Sequence, residues 1–221
     1  NNEDFNINSV SVGKGANSLS DNTVLGASAL DASVSGNYNT AIGKNALTTL
    51  TSGASNVAIG RAALQTVSTG SQNVAVGQSA LANQSGSTSN NTAVGYNSLG
   101  ANQTGASNVA VGAFALDANT TASANTAVGY NAGTATTTGH SLCSVGTYAL
   151  QSNTTGDQNT AFGRSALQNN TTADNNSAFG KDALKANTTG ARNTAVGYQA
   201  GYSNTTDINT TFVGYQAGYH N

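Results

Sequence analysis

Charge is scarce in this chain: 7% of its 221 residues are Asp, Glu, Lys or Arg, against about 25% in ordinary soluble domains. A formal net charge of -2 and a pI near 5.4 provide no field to attract nucleic acid or an anionic membrane surface. Cysteine is reduced to Cys143, which excludes an intrachain disulfide and a Cys-rich metal site and leaves the redox compartment open. Its place in a strand column suits a small buried residue better than a reactive thiol. Histidine occurs twice, at His140 and His220, too far apart in the repeat to meet, and the many Ser and Thr hydroxyls have no nearby base to activate them. No enzyme, cofactor or metal is therefore expected. No apolar run approaches the ~18 residues of a membrane span, and the start does not look like a signal peptide. Methionine is absent, so Asn1 is not a translation start and the chain is expected to be a piece of a longer one.

What the sequence does contain is one unit, copied. Aligned on a marker glycine, the copies fall at Gly13, Gly26, Gly43, Gly60, Gly77, Gly95, Gly112, Gly129, Gly146, Gly163, Gly180, Gly197 and Gly214. After a first interval of 13 the spacing is 17 throughout, apart from one 18 between Gly77 and Gly95, absorbed in the Ser/Gly-rich turn at 84–90. Asn- and Ser-rich composition with little charge also describes disordered tracts, but disorder does not preserve such spacing. The common helical repeats need about 33 residues for two helices, and glycine with Asn-Thr-Thr clusters in every period would break them. The expectation is an all-β parallel solenoid, a β-roll of about thirteen 17-residue coils with two short strands each. Residues 1–8 are read as an N-terminal cap or linker and 9–221 as a single repeat domain.

Within a period, the residues before the marker read Asn, Thr or Val, Ala, then Val, Ile or Phe, which is a short strand. The large column (Val128, Val145, Phe162 and equivalents) is expected to face the coil interior. An Ala-Leu pair after the glycine, as in Ala149-Leu150 and Ala166-Leu167, is read as a second strand with its leucine inside. Glycine ten positions past the marker, as at Gly105, Gly139, Gly156 and Gly190, is read as supplying positive φ to a turn. The alanine column (Ala110, Ala127, Ala161) then points outward, and a face that small and apolar implies packing against a partner chain. One Val and one Leu per layer make a thin core, which oligomerisation would thicken.

The segments Asn39-Thr40-Ala41-Ile42-Gly43 and Asn56-Val57-Ala58-Ile59-Gly60, each followed by Ala-Leu, resemble the head repeat of trimeric autotransporter adhesins, whose heads are left-handed parallel β-rolls with a period of about fourteen residues. The last copies, 193–202 (NTAVGYQAGY) and 210–219 (TTFVGYQAGY), are more similar to repeats of bacteriophage tail fibres and related virion fibres. The adhesin resemblance implies a left-handed roll, and the fibre resemblance a parallel homotrimer, association with other virion fibre or tail proteins, and an extracellular place on the virion. The leading functional expectation is a rigid fibre shaft, with a role in host-surface attachment. The alternative is the head of a trimeric adhesin on a bacterial cell surface.

Few side chains suggest sites. The Asn column at Asn22, Asn39, Asn56, Asn73, Asn91, Asn108, Asn125, Asn159, Asn176 and Asn193 is expected to form a ladder from layer to layer. Asp157 and Asp174 stack in one turn position and could pair on a cation, and Lys44 with Arg61 or Arg164 with Lys181 could bridge an anion; solvated side chains are the preferred reading of all three pairs. The sequons at Asn119, Asn153, Asn170, Asn187, Asn204 and Asn209 are by-products of the repeat. Tyr96, Tyr130, Tyr198 and Tyr215 share one edge, for which edge packing or interchain contact is the preferred reading over sugar stacking; if the segment meets a host-surface glycan, the patch of Tyr198, Tyr202, Tyr215 and Tyr219 is the expected place, through many weak contacts. Ice binding would need paired Thr-x-Thr, whereas each strand offers one Thr, often replaced by Val.

Overall fold

A computed structural model describes residues 5–15, 19 and 21–220. Fourteen strands form one sheet in strict chain order: β1 (Phe5–Ile7), β2 (Val10–Gly13), β3 (Thr23–Gly26), β4 (Thr40–Ile42), β5 (Val57–Ile59), β6 (Val74–Val76), β7 (Thr92–Val94), β8 (Val109–Val111), β9 (Thr126–Val128), β10 (Cys143–Val145), β11 (Thr160–Phe162), β12 (Ser177–Phe179), β13 (Thr194–Val196) and β14 (Thr211–Val213). From β3 onward all pairing is parallel and in register, Thr160 beside Ser177 and Phe162 beside Phe179. The molecule is a parallel β-solenoid whose twelve parallel strands enclose eleven coils, a rod of about 50 Å at ~4.8 Å per layer. The first copy does not join that stack. β1, β2 and β3 pair antiparallel, because the interval of 13 is too short for a full coil.

From β3 to β14 each strand ends at or just before a marker glycine whose φ no L-residue adopts easily, from +125° at Gly214 to +155° at Gly26. The glycine is also needed for space: a Cβ on Gly163 would stand 2.5 Å from the carbonyl oxygen of Gly180 in the next coil. The glycines ten positions later do not have positive φ, contrary to the sequence reading. They are small because of crowding, a Cβ on Gly105 lying 2.5 Å from Asn102 Oδ1 and one on Gly139 2.5 Å from the Gly156 carbonyl oxygen.

The expected second strand is a turn. Ala46 and Leu47, or Ala149 and Leu150, are both fully buried, and adjacent residues of a pleated strand cannot face the same way. The chain instead places leucine in the left-handed region, φ +51° at Leu47 and +50° at Leu150, so that both side chains turn inward. These turns still bond coil to coil, Leu150 N–H to Ala166 O at 3.1 Å.

The facing of the strands is also the reverse of the expectation. Ala110, Ala127 and Ala161 are completely buried in their own chain, whereas Phe162 is 54% and Val128 38% exposed and Val145 is half-buried. With Leu already filling each layer, a coil this tight has room on its strand side for a methyl group and no more. The alanine column therefore cannot contact a partner.

Residue types along one interior corner change. Leu50 and Val67 occupy it early, then Gln84, Asn102, Asn119, Thr136, Asn153, Asn170, Asn187 and Asn204, all buried. The last coils vary again: Phe212 stands in the alanine column, and its ring fills the space left where Gly201 and Gly218 replace leucine.

Candidate functional site

The Asn column forms the expected ladder, with a geometry the sequence did not reveal. Each Oδ1 accepts the backbone N–H of the equivalent residue one coil on: Asn108 from Asn125 at 3.0 Å, Asn159 from Asn176 at 2.9 Å, Asn176 from Asn193 at 2.9 Å. Each Nδ2 donates to a turn carbonyl of the next coil, Asn39 to Gly53 O at 3.0 Å and Asn91 to Gly105 O at 2.9 Å. Asn22, Asn39, Asn56, Asn73, Asn91, Asn108, Asn125, Asn159, Asn176 and Asn193 are all buried. Leu142 interrupts the column, yet its N–H still reaches Asn125 Oδ1 at 2.8 Å. Asn176→Ala should destabilise the chain by about 1–3 kcal/mol in urea denaturation, because it leaves the Asn193 N–H without a buried partner and removes one of the two amide donors, Asn176 and Asn187, to the Gly190 carbonyl.

A second Asn ladder, not anticipated from the sequence, lies beside the first, and the two columns donate to the same turn carbonyls, as Asn91 and Asn102 do to Gly105 O. Its amides bond directly, Asn119 Nδ2 to Asn102 Oδ1 at 2.8 Å, Asn170 to Asn153 at 2.9 Å and Asn187 to Asn170 at 2.9 Å. Asn119, Asn153, Asn170, Asn187 and Asn204 are completely buried, so these sequons are closed to modification. Recurrence in a fixed register, the signal used for the first column, would have found the second.

The carboxylate pair has a structural task. His140 N–H donates to Asp157 Oδ1 at 2.6 Å and Asp157 N–H to Asp174 Oδ1 at 2.7 Å, while Ser123 N–H donates to His140 Nδ1 at 2.9 Å. Ser71, Ser89 and Ser123 do the same earlier in the stack, so in these coils a side-chain acceptor holds the turn of the preceding coil. No group of three His, Cys, Asp or Glu able to hold a metal exists among the described residues. Lys44, Arg61, Arg164 and Lys181 are exposed. Cys143 is half-buried on the outer strand column.

Burial of Asp117 raises its carboxyl above the ordinary 3.8, opposed by a 2.6 Å hydrogen bond from Asn97 Nδ2. A raised folded value favours the protonated form, so its contribution to stability is present below pH 3.8 and is lost as pH rises through the folded value. Asp117→Asn should therefore raise the melting temperature at neutral pH, with the gain vanishing below pH 3.8, as followed by thermal unfolding across pH.

The tyrosine patch is arranged along the stack. Tyr198 and Tyr215 lie 5.3 Å apart with planes at 15°, Tyr202 and Tyr219 5.0 Å apart at 15°. Lys181 Nζ sits 5.4 Å from the Tyr198 ring and Lys185 Nζ 5.7 Å from the Tyr202 ring. The broad faces of Tyr198 and Tyr202 thus meet neighbouring coils, and the exposed ring of Tyr215 (74%) is the one most open to a sugar. Further down, Tyr96, Phe114, Tyr130 and Tyr148 form an edge-to-face staircase with centroid steps of 5.1, 6.3 and 5.6 Å.

The outer side of the sheet carries a continuous apolar column. Leu25, Ile59, Val128, Phe162, Phe179, Val196 and Val213 are 37–68% exposed in one column. Register extends that column through Val12 to Phe5 on the antiparallel strands. Beside it runs the column of Thr40, Val57, Val74, Thr92 and Val109. No protein-family model, curated protein or solved structure matches the chain. No helix among the described residues is long and apolar enough to cross a membrane.

Proposed function

We propose that this chain is a rigid shaft segment of a trimeric extracellular fibre, in which three copies lie parallel with their outer sheet faces turned to a common axis. The observation that supports this reading is the apolar column from Phe5 to Val213, half-buried or exposed at every level of the sheet, in a chain whose interior is already filled by its own Ala, Leu and Asn columns. A contiguous apolar strip of that length marks an interaction surface, and because it repeats with the coil it is matched in length and spacing by a second copy of itself. The fibre resemblance of the NTAVGYQAGY and TTFVGYQAGY repeats favours a virion fibre in contact with other tail proteins; an adhesin head on a cell surface would use the same assembly. Host-surface glycans, in this reading, meet the end of the rod near Tyr215 and Tyr219 through three weak copies of one patch.

Sedimentation equilibrium of the chain tests the assembly. The expected species has three times the 21.9 kDa chain mass; a folded monomer at micromolar concentration would overturn the reading.

A further inference from the structure

One coil departs from the repeat at three interior positions at once. Between β9 and β10 the leucine column has Gly133, the amide corner has Thr136 in place of Asn, and β10 carries Ser144 in place of Ala. At the other leucine gaps, Gly201 and Gly218, the Phe212 ring fills the space. At Gly133 nothing comparable does. The nearest atoms to the position of a Cβ there are Leu116 Cδ2 at 3.1 Å, Ser144 Oγ at 3.4 Å and Thr136 Oγ1 at 3.5 Å.

Ser144 and Thr136 are completely buried and neither hydroxyl has a hydrogen-bond partner. One coil below, Asn119 Oδ1 is buried and unpartnered as well: its ladder would continue to an amide at position 136, where threonine stands. The apolar core divides at the same level, one cluster ending at Ala132 and the next beginning at Leu142. Buried polar atoms almost always have partners, so two unpaired hydroxyls beside Gly133 and an unpaired ladder oxygen one coil below Thr136 point to a common cause.

We propose that this coil is an internal hydration site, in which a buried water molecule takes the place of the missing Asn amide and is held by Ser144 Oγ, Thr136 Oγ1 and Asn119 Oδ1. Water has two donors and two acceptor sites. It donates to Asn119 Oδ1, which can only accept, and to one hydroxyl, while it accepts from the other. The leucine side chain that Gly133 lacks is larger than a water molecule, whose share of liquid volume is about 30 Å³, and three polar partners are the usual number for a buried water. A cation fits this chemistry poorly, since the three oxygens are neutral and the site brings no carboxylate to offset the charge.

The test is a crystal structure at water-resolving resolution, paired with oxygen-17 relaxation dispersion on the full chain in its native assembly. The expected result is a density peak within hydrogen-bonding distance of at least two of the three oxygens. The consensus variant Gly133→Leu, Thr136→Asn, Ser144→Ala should lose that peak and one long-lived water per chain. Leucine is tolerated at φ near +50° in this column, and Gly133 already sits at +58°. If the variant fails to fold, the wild-type density alone decides. Hydroxyls bonded to protein carbonyls with no peak between them, or a peak with the short oxygen distances of a metal ion, would overturn the proposal.

Discussion

Gly163→Ala should destabilise the chain by about 3 kcal/mol or more, combining a strained backbone with overpacking. The new methyl carbon would stand 2.5 Å from the Gly180 carbonyl oxygen and 2.6 Å from its carbon, at φ +143°. Neither neighbour can yield, because both belong to backbone fixed in the next coil by Gly180 N–H to Phe162 O at 2.8 Å. Since a solenoid coil touches only its neighbours, the damage should separate the stack into two weakly coupled halves and broaden the urea transition. Gly86→Ala is the control. That glycine has φ +63° with nothing within 4 Å of a Cβ, so strain alone applies, about 1 kcal/mol. Equal losses at the two positions would show that inter-coil spacing is not what limits the marker glycines.

The double substitution Val128→Asp, Phe162→Asp should abolish assembly and leave the fold intact. In a lone chain both side chains are exposed, so carboxylates there stay solvated and change stability by about 0.5 kcal/mol or less each. Around a three-fold axis the same substitution brings like charges together, at about 3 kcal/mol for each pair some 6 Å apart in an effective dielectric near 20. Sedimentation should fall to the monomer while circular dichroism retains the β signal. Leu167→Asp is the opposite case: it places an unpaired charge among fully buried side chains and should cost about 3–5 kcal/mol, losing the fold itself. Loss of the β signal in the outer-face variant would refute the orientation of the column.

How far the sequence could be read depends on which property repeats. The period, the parallel register and the buried leucines follow directly from spacing, because a column of identical residues at fixed intervals is what stacked coils produce and little else does. The facing of the strand was not legible that way. Alternation says that Val128 and Ala127 lie on opposite sides, but which side is inner depends on how much volume the coil encloses, and that is set by Leu116 and Leu150 arriving from the turn. The usual rule that larger apolar residues go inside fails where the interior is one side chain wide. The Ala-Leu pair was misread for a related reason: a left-handed leucine is uncommon enough that a strand looked simpler. The second Asn ladder went unnoticed because its members sit in Asn-Thr-Thr segments that look like solvent-facing turns. Recurrence showed that Tyr198 with Tyr215 and Tyr202 with Tyr219 share positions in successive coils, but not that their rings stack face to face along the axis.

The change of lining from Leu50 and Val67 to the amides of Asn102 through Asn204 gives the two parts of the rod different thermal behaviour. Exposing apolar surface on unfolding raises the heat capacity, whereas exposing amides lowers it. The stretch from β4 to β6 should have the more sharply curved stability profile, and the amide-lined stretch beyond β8 a flatter one. Cooling weakens the apolar part first, so in the cold the rod should loosen from its N-terminal portion, and on mild warming from that temperature it should tighten there again.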